Sequence, residues 1–80
     1  MNYYNEIKNE LVNNEINRKV KRYSINKSDL NTYYNVGKML SEAGNHYGDN
    51  IIGYYATKLK KDLNKKYNER TLRRYRQFYN

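Results

Sequence analysis

Several residue types are missing from this 80-residue chain, and each absence excludes a class of protein. Without cysteine, no disulfide or thiolate metal site can stabilise the fold, and a single histidine excludes most zinc chemistry as well. Without proline, long uninterrupted helices are favoured. No apolar run approaches the roughly 18 residues of a membrane span, and no signal peptide is recognisable. We therefore expect a cytoplasmic protein with no membrane partner.

Catalytic patterns are missing too. The sequence holds no Ser/His/Asp set, no carboxylate dyad and no glycine-rich phosphate loop, because its four glycines never cluster. His46 lies in a predicted loop near Glu42 and Asp49, but a lone loop histidine is usually exposed rather than metal-bound. We expect no enzymatic activity, no cofactor and no metal site.

Tyrosine is abundant instead, with eleven copies against one phenylalanine and no tryptophan. Tyrosine must therefore supply much of the core, with each hydroxyl reaching water or a hydrogen-bond partner. Exposed tyrosine rings can also stack on unpaired bases. The helical spacing places Tyr55, Tyr75 and Tyr79 on inner faces, so core packing is the favoured interpretation. Whether Tyr54 and Tyr67 face solvent is left open.

Apolar spacing predicts an all-α fold, a compact four-helix domain spanning residues 1–80. The first predicted helix runs from about Asn2 to Tyr23. Its expected apolar stripe consists of Tyr4, Ile7, Leu11, Val12, Ile16, Val20 and Tyr23. Ser24 to Lys27 are predicted to connect this helix to the next.

The second predicted helix begins with Ser28 as its N-cap and ends near Ala43, where Gly44 is expected to adopt the left-handed C-cap conformation. Its expected buried face consists of Leu30, Tyr33, Gly37 and Leu40. A glycine inside a helix costs about 1 kcal/mol relative to alanine. Gly37 is therefore predicted to let another helix approach closely.

The third predicted helix follows a short loop, starts with Asp49 as its N-cap and ends near Leu63 or Asn64. Its expected inner face consists of Ile52, Tyr55, Ala56, Leu59 and Leu63. A tight turn at Lys65 to Tyr67 then leads to a fourth helix capped by Asn68. The expected apolar face of this helix consists of Leu72, Tyr75, Phe78 and Tyr79. Because a short turn joins them, the last two helices are predicted to be helix-turn-helix-like.

Positive charge is concentrated at one end of the chain. The 27 residues from Tyr54 to Asn80 contain nine basic and two acidic residues, which gives this segment a net charge of +7 out of +8 for the whole chain. Charge of one sign at this density attracts polyanions. Nucleic acid is therefore the first partner to expect.

The predicted contact site consists of Lys58, Lys61, Lys65, Lys66, Arg70, Arg73, Arg74 and Arg76. Arg70, Arg73 and Arg74 are spaced to share one helix face, with Arg76 rotated away from them. Guanidinium groups suit phosphate oxygens and guanine edges, and the lysines are expected to hold backbone phosphates beside them. A charge run is more often a plain solvated face, but the shortage of acidic residues here favours contact with a polyanion.

Three stretches of the sequence resemble the N-terminal domain of the YhcG-type family. They are Tyr34 to Gly37, Tyr47 to Ile52 followed by Leu59 and Leu63, and Thr71 to Tyr79. The family shows Y-x-x-G, Y-G, L-x-x-x-L and L-x-x-M-R-Q-F-Y in that order, and Tyr75 stands where methionine is usual. The resemblance, which covers about residues 5–79, implies a helical, helix-turn-helix-like module for DNA or partner binding. The C-terminal PD-(D/E)XK nuclease domain of full-length members is absent from this chain, so binding rather than cleavage is implied.

Two alternatives stay open. A phage or mobile element could use such a module alone as an anti-CRISPR-like inhibitor that binds a nucleoprotein complex, with tyrosine and arginine as interface anchors. The second alternative is a docking or homodimerisation module whose basic face serves only solubility. The sequence favours DNA over RNA as the polymer but does not distinguish duplex from single strand.

Overall fold

The computed structural model describes residues 3–20 and 25–79, with side chains at positions 3–16 and 29–79. These residues form four helices: α1 (Tyr3–Val20), α2 (Ile25–Tyr47), α3 (Ile51–Asp62) and α4 (Glu69–Tyr79). No strand occurs within the described ranges. The prediction of an all-α, four-helix domain is confirmed.

Helix α2 is the centre of the packing. It contacts each of the other three helices, and its interface with α4 is the most extensive. The largest fully buried side chains between the helices are Ile7, Leu11, Val36, Leu40, Ile52, Leu59 and Leu72. Every helix thus contributes at least one side chain to a single core, which a chain of this size needs because it can bury only a limited apolar area.

The buried apolar stripe of helix α1 is shorter than its sequence predicts. Tyr4, Ile7 and Leu11 are buried as predicted, but Ile16 is half exposed. Asn14 is buried instead, and its Nδ2 donates a hydrogen bond to Asp29 Oδ1 at 2.8 Å. A buried amide is tolerated where such a partner exists. The predicted helix end at Asn2, the stripe beyond Ile16 (the side chains of Val20 and Tyr23) and the linker residue Ser24 lie outside this description.

Both predicted ends of helix α2 are wrong. The helix already begins at Ile25, so Ser28 lies within it and is not its N-cap. It continues through Gly44 to Tyr47, and Gly48 takes the left-handed conformation with a φ of 92°. Glycine adopts that conformation without steric cost. Because the helix is longer than predicted, His46 lies in its last turn rather than in a loop.

The buried arc of α2 is also broader than one stripe. Leu40 is fully buried as predicted, but so is Val36, whereas Leu30 is 50% exposed. Since α2 packs against helices on more than one side, its core residues cannot follow one line of apolar positions. Gly37 is buried as predicted.

Gly37 is the position at which α4 comes closest to α2. A Cβ atom there would overlap the carbonyl oxygen of Tyr75 and lie 2.9 Å from Tyr79 Cβ. The rings of Tyr33 and Tyr75, one from each helix, stack beside this point with centroids 4.5 Å apart. The predicted close approach at Gly37 is confirmed, and the approaching helix is α4.

The two predicted caps of the C-terminal half have opposite outcomes. Asn68 does cap α4, because its Oδ1 accepts a hydrogen bond from the Thr71 N–H at 2.9 Å. Asp49 does not cap α3. Asn50 occupies the N-cap position without a side-chain bond, and the Asp49 carboxylate binds arginines of α4 instead. Each of these bonds joins two ionised groups and is therefore charge-assisted.

The connection between α3 and α4 comprises residues 63–68 and is held from within and from α1. Asn64 Oδ1 accepts a hydrogen bond from the Lys66 N–H at 3.0 Å. Tyr67 is only 3% exposed, and its hydroxyl donates to Glu15 Oε1 at 2.7 Å. The hydroxyl of Tyr4 likewise donates to Asp62 Oδ2 at 2.6 Å. These two tyrosines therefore combine core packing with a polar partner, as predicted.

Candidate nucleic-acid interface

The eight predicted site residues lie on three consecutive segments. Lys58 and Lys61 belong to α3, and Lys65 and Lys66 belong to the connection. The four arginines Arg70, Arg73, Arg74 and Arg76 belong to α4. Their side chains fall into two groups, those held by other side chains of the protein and those that face solvent without an ion pair.

Arg73 and Arg76 are held together by one carboxylate. Arg73 Nη1 lies 2.9 Å from Asp49 Oδ2, and Arg76 Nη1 lies 2.5 Å from Asp49 Oδ1. Arg73 Nε also binds Glu69 Oε2 at 3.0 Å. Arg73 is thus linked to Arg76 through Asp49. It does not form one unpaired face with Arg70 and Arg74, which the sequence predicted.

The electrostatics of this group follow from its hydrogen bonds. The bond from Arg76, and then the bond from Arg73, hold the pKa of Asp49 below its ordinary value. The pKa of Arg73 is raised by its bond to Asp49 and then by its bond to Glu69. Asp49 and Glu69 are exposed and the two arginines are half-buried, so the attraction is partly screened by salt and open to competition from other anions.

Lys58 and Lys66 are also engaged within the protein. Lys58 Nζ lies over the Tyr4 ring at 4.2 Å from its centroid. Lys66 Nζ lies 3.2 Å from Glu15 Oε1 and 5.1 Å from the centroid of the Tyr67 ring. Both lysines therefore have part of their charge compensated by α1.

The remaining basic residues of this segment face solvent. They are Lys60, Lys61, Lys65, Arg70 and Arg74, and we call them the open basic set. None of the five forms an ion pair with any carboxylate in the described part of the chain. Lys60 was not among the predicted site residues, although its place in the same charge run was the signal that could have included it.

A cleft opens beside Arg74. It has a volume of about 390 Å³ and is lined by Tyr33, Thr71, Arg74, Tyr75 and Phe78. The sequence predicts Phe78 as part of the apolar face of α4 that packs on the core. The predicted burial is wrong, because this side chain is 50% exposed. Leu72 of the same helix is fully buried, whereas half of the Phe78 side chain faces solvent.

A second cleft, of about 520 Å³, lies between the start of α1 and α3. Exposed tyrosines at positions 47 and 54 form its rim, and Lys58 lies between the rings of Tyr4 and Tyr54. The sequence left the position of Tyr54 open, and the structure leaves this ring 53% exposed.

His46 has aromatic neighbours. Its ring stacks on Tyr3 with centroids 6.1 Å apart. Among the described residues, no group of three or more histidine, aspartate or glutamate side chains is placed to hold a metal ion.

Comparison of the chain with protein-family models, with curated proteins and with solved structures finds no significant match. The resemblance to the YhcG-type family therefore stays a prediction. Across the described helices, none combines the length and apolar character required to cross a bilayer.

Proposed function

We propose that this chain is a non-catalytic module that binds nucleic acid, with DNA preferred over RNA, through the open basic set. The observation that carries the proposal is the set itself: five basic side chains between Lys60 and Arg74 face solvent with no ion pair among the described residues. The resemblance of Thr71 to Tyr79 to the last helix of the YhcG-type domain supports the same function.

The expected mode of binding is electrostatic. Lysine and arginine side chains that neutralise phosphates release condensed counterions, which supplies affinity without reading base sequence. Arg70 and Arg74 are spaced four residues apart on α4 and so share one face of that helix. On the helix-turn-helix-like interpretation, α4 is the helix presented to the polymer.

The number of free charges sets the expected salt dependence. If all five residues of the open basic set contact phosphates of a duplex, the slope of log affinity against log salt is about −4.5. Arg73 and Arg76 contribute little to this slope while Asp49 holds them.

Replacing Arg70 and Arg74 by alanine tests the proposal. We expect the double variant R70A/R74A to lose affinity for a labelled duplex at about 50 mM salt and to shift the salt slope toward zero by about 1.8, because two phosphate contacts are removed. Fluorescence anisotropy at several salt concentrations measures both quantities, and circular dichroism checks that the helices are intact.

Lys38→Ala is the matched control. Lys38 is exposed on α2 and lines a cleft together with Glu6, Glu10 and Glu42, so its surroundings repel phosphates. This variant should retain the affinity and slope of the unaltered protein. If R70A/R74A binds as Lys38→Ala does, the open basic set is not the contact surface. If the unaltered protein binds no nucleic acid at low salt, the docking and inhibitor alternatives replace the proposal.

A further inference from the structure

The cleft beside Arg74 combines two features that single-stranded nucleic acid requires of a binding site. One is an exposed aromatic ring, that of Phe78, next to the stacked pair of Tyr33 and Tyr75. The other is a guanidinium group without a carboxylate partner, that of Arg74. The volume of about 390 Å³ lies within the range of about 300–1,000 Å³ that is usual for small-ligand sites.

We propose that this cleft takes one unpaired base of a nucleic-acid strand, with the base against the Phe78 ring and an adjacent phosphate on Arg74. The inference rests on the proposed function and deepens it, because it gives the same surface a preference for single-stranded over duplex polymer. The base enters between α2 and α4, and Arg70 and Arg74 hold the adjacent backbone.

The aromatic lining favours a base as the occupant. Every base has a π-face, so stacking on an exposed ring is independent of sequence. The Phe78 ring presents such a face at the rim, and the Thr71 side chain supplies a hydroxyl that can donate to or accept from a base edge. In a duplex the bases are already stacked on each other and cannot enter the cleft.

The positive charge of Arg74 favours an anionic over a neutral ligand. The ring beside it favours an anion that carries a base over an acidic peptide. Among the described residues no carboxylate lines this cleft, and Arg70 lies one helical turn before Arg74. Two other clefts of the described structure differ. The cleft at Lys38 contains three glutamates, and the tyrosine cleft has its lysine already over two rings.

A tryptophan reporter tests where the base lies. The chain has no tryptophan, so Phe78→Trp places a single indole in the cleft. We expect a single-stranded oligothymidine to quench its fluorescence and an oligomer of abasic sugar phosphate to leave it unchanged. Tyr54→Trp is the matched control, because Tyr54 is similarly exposed but lies in the other cleft. Quenching of both reporters to the same extent would overturn the assignment to this cleft.

Affinity provides the second measurement. Phe78→Leu keeps an apolar side chain but removes the ring, and we expect it to weaken binding of the oligothymidine by about 5- to 150-fold, the range for losing one stacked base. Phe78→Tyr should retain most of the affinity. Binding of the abasic oligomer should not change in either variant.

The possible failures are distinguishable. If duplex, single strand and abasic oligomer bind equally and Phe78→Leu has no effect, the cleft proposal is overturned while nucleic-acid binding through the basic surface stands. If the unaltered protein binds none of the three, both fall. An acidic peptide with one phenylalanine and the same charge as the oligothymidine is a further competitor. If it displaces labelled oligothymidine at a lower concentration than unlabelled oligothymidine does, the occupant is a protein segment and the cleft proposal is again overturned.

Discussion

Two glycines of α2 differ in the space available for a side chain. At Gly37 the backbone of α4 occupies the space that a side chain would need. At Gly44, which is also helical, nothing lies within 4 Å of the position that a Cβ would take. Gly44 therefore carries only the backbone entropy cost of glycine in a helix, whereas Gly37 is required by packing.

Alanine at each position should have opposite effects. We expect Gly37→Ala to lower the free energy of unfolding by about 1–3 kcal/mol, because α4 must move away from α2. Gly44→Ala should raise it by about 0.5–1 kcal/mol through helix propensity. Urea unfolding followed by circular dichroism measures both values. A destabilising effect of similar size at both positions would contradict the packing argument.

Among the elements, α4 is joined by Asp49 to the connection between α2 and α3. Because its folded pKa is lowered, the Asp49 carboxylate stabilises the folded chain at neutral pH and above its ordinary pKa of about 3.8. That contribution is lost as the pH falls through the lower, folded pKa. The same carboxylate occupies two arginines that could otherwise bind phosphates.

Removing this charge should therefore strengthen nucleic-acid binding. We expect Asp49→Asn to free Arg76, to leave Arg73 paired only with Glu69, to raise affinity for nucleic acid at low salt and to make the salt slope steeper by about 0.9. Anisotropy titrations measure both quantities. Glu42→Gln, which removes one negative charge elsewhere on the surface, is the control and should change the slope little. An equal change in both variants would mean that net charge alone is responsible.

The helices themselves could be predicted from the sequence, but some of their ends could not. The spacing of Tyr4, Ile7 and Leu11, and the Asn68 cap, are local signals that the structure confirms. Gly44 and Gly48 give the same local signal for a helix end, and only the packing of the longer helix distinguishes them. Asp49 looked like a cap because its arginine partners lie 24 and 27 residues away in the chain.

The candidate site could be predicted only in outline. Charge concentration indicated the segment that carries the open basic set, since charge is a property of the sequence. Which cations are compensated depends on carboxylates of other elements, such as Glu15 beside Lys66. The cleft could not be predicted, because a helical wheel shows Phe78 on the apolar side of α4 without showing that half of its side chain stays exposed.

At the scale of the whole molecule, buried tyrosine hydroxyls connect the halves of the chain. Burial, and then the hydrogen bond to Glu15, raise the pKa of Tyr67. Burial, and then the bond to Asp62, raise the pKa of Tyr4. Both phenols therefore resist ionisation in the folded state, while the same groups in the unfolded chain ionise near pH 10.

The fold should consequently be sensitive to alkali. The stabilising contribution of a raised tyrosine pKa is fully present below about pH 10 and is lost as the pH rises toward the folded pKa. We expect the free energy of unfolding to fall steeply above about pH 10. Tyr67→Phe should be less stable at neutral pH, by about 1 kcal/mol for the lost hydrogen bond, but should show a shallower alkaline decline. Urea unfolding across this pH range measures the slopes, and equal slopes would contradict this account.

The bond between Tyr67 and Glu15 also has a consequence for protein synthesis. It joins positions 52 residues apart, and Glu15 additionally pairs with Lys66. The ribosome synthesises α1 and α2 first, so the Glu15 carboxylate is already present when the basic segment leaves the ribosome. That segment emerges beside ribosomal RNA, itself a polyanion that attracts lysine and arginine. Glu15 therefore offers the newly made segment a partner within its own chain, which draws it toward the folded domain.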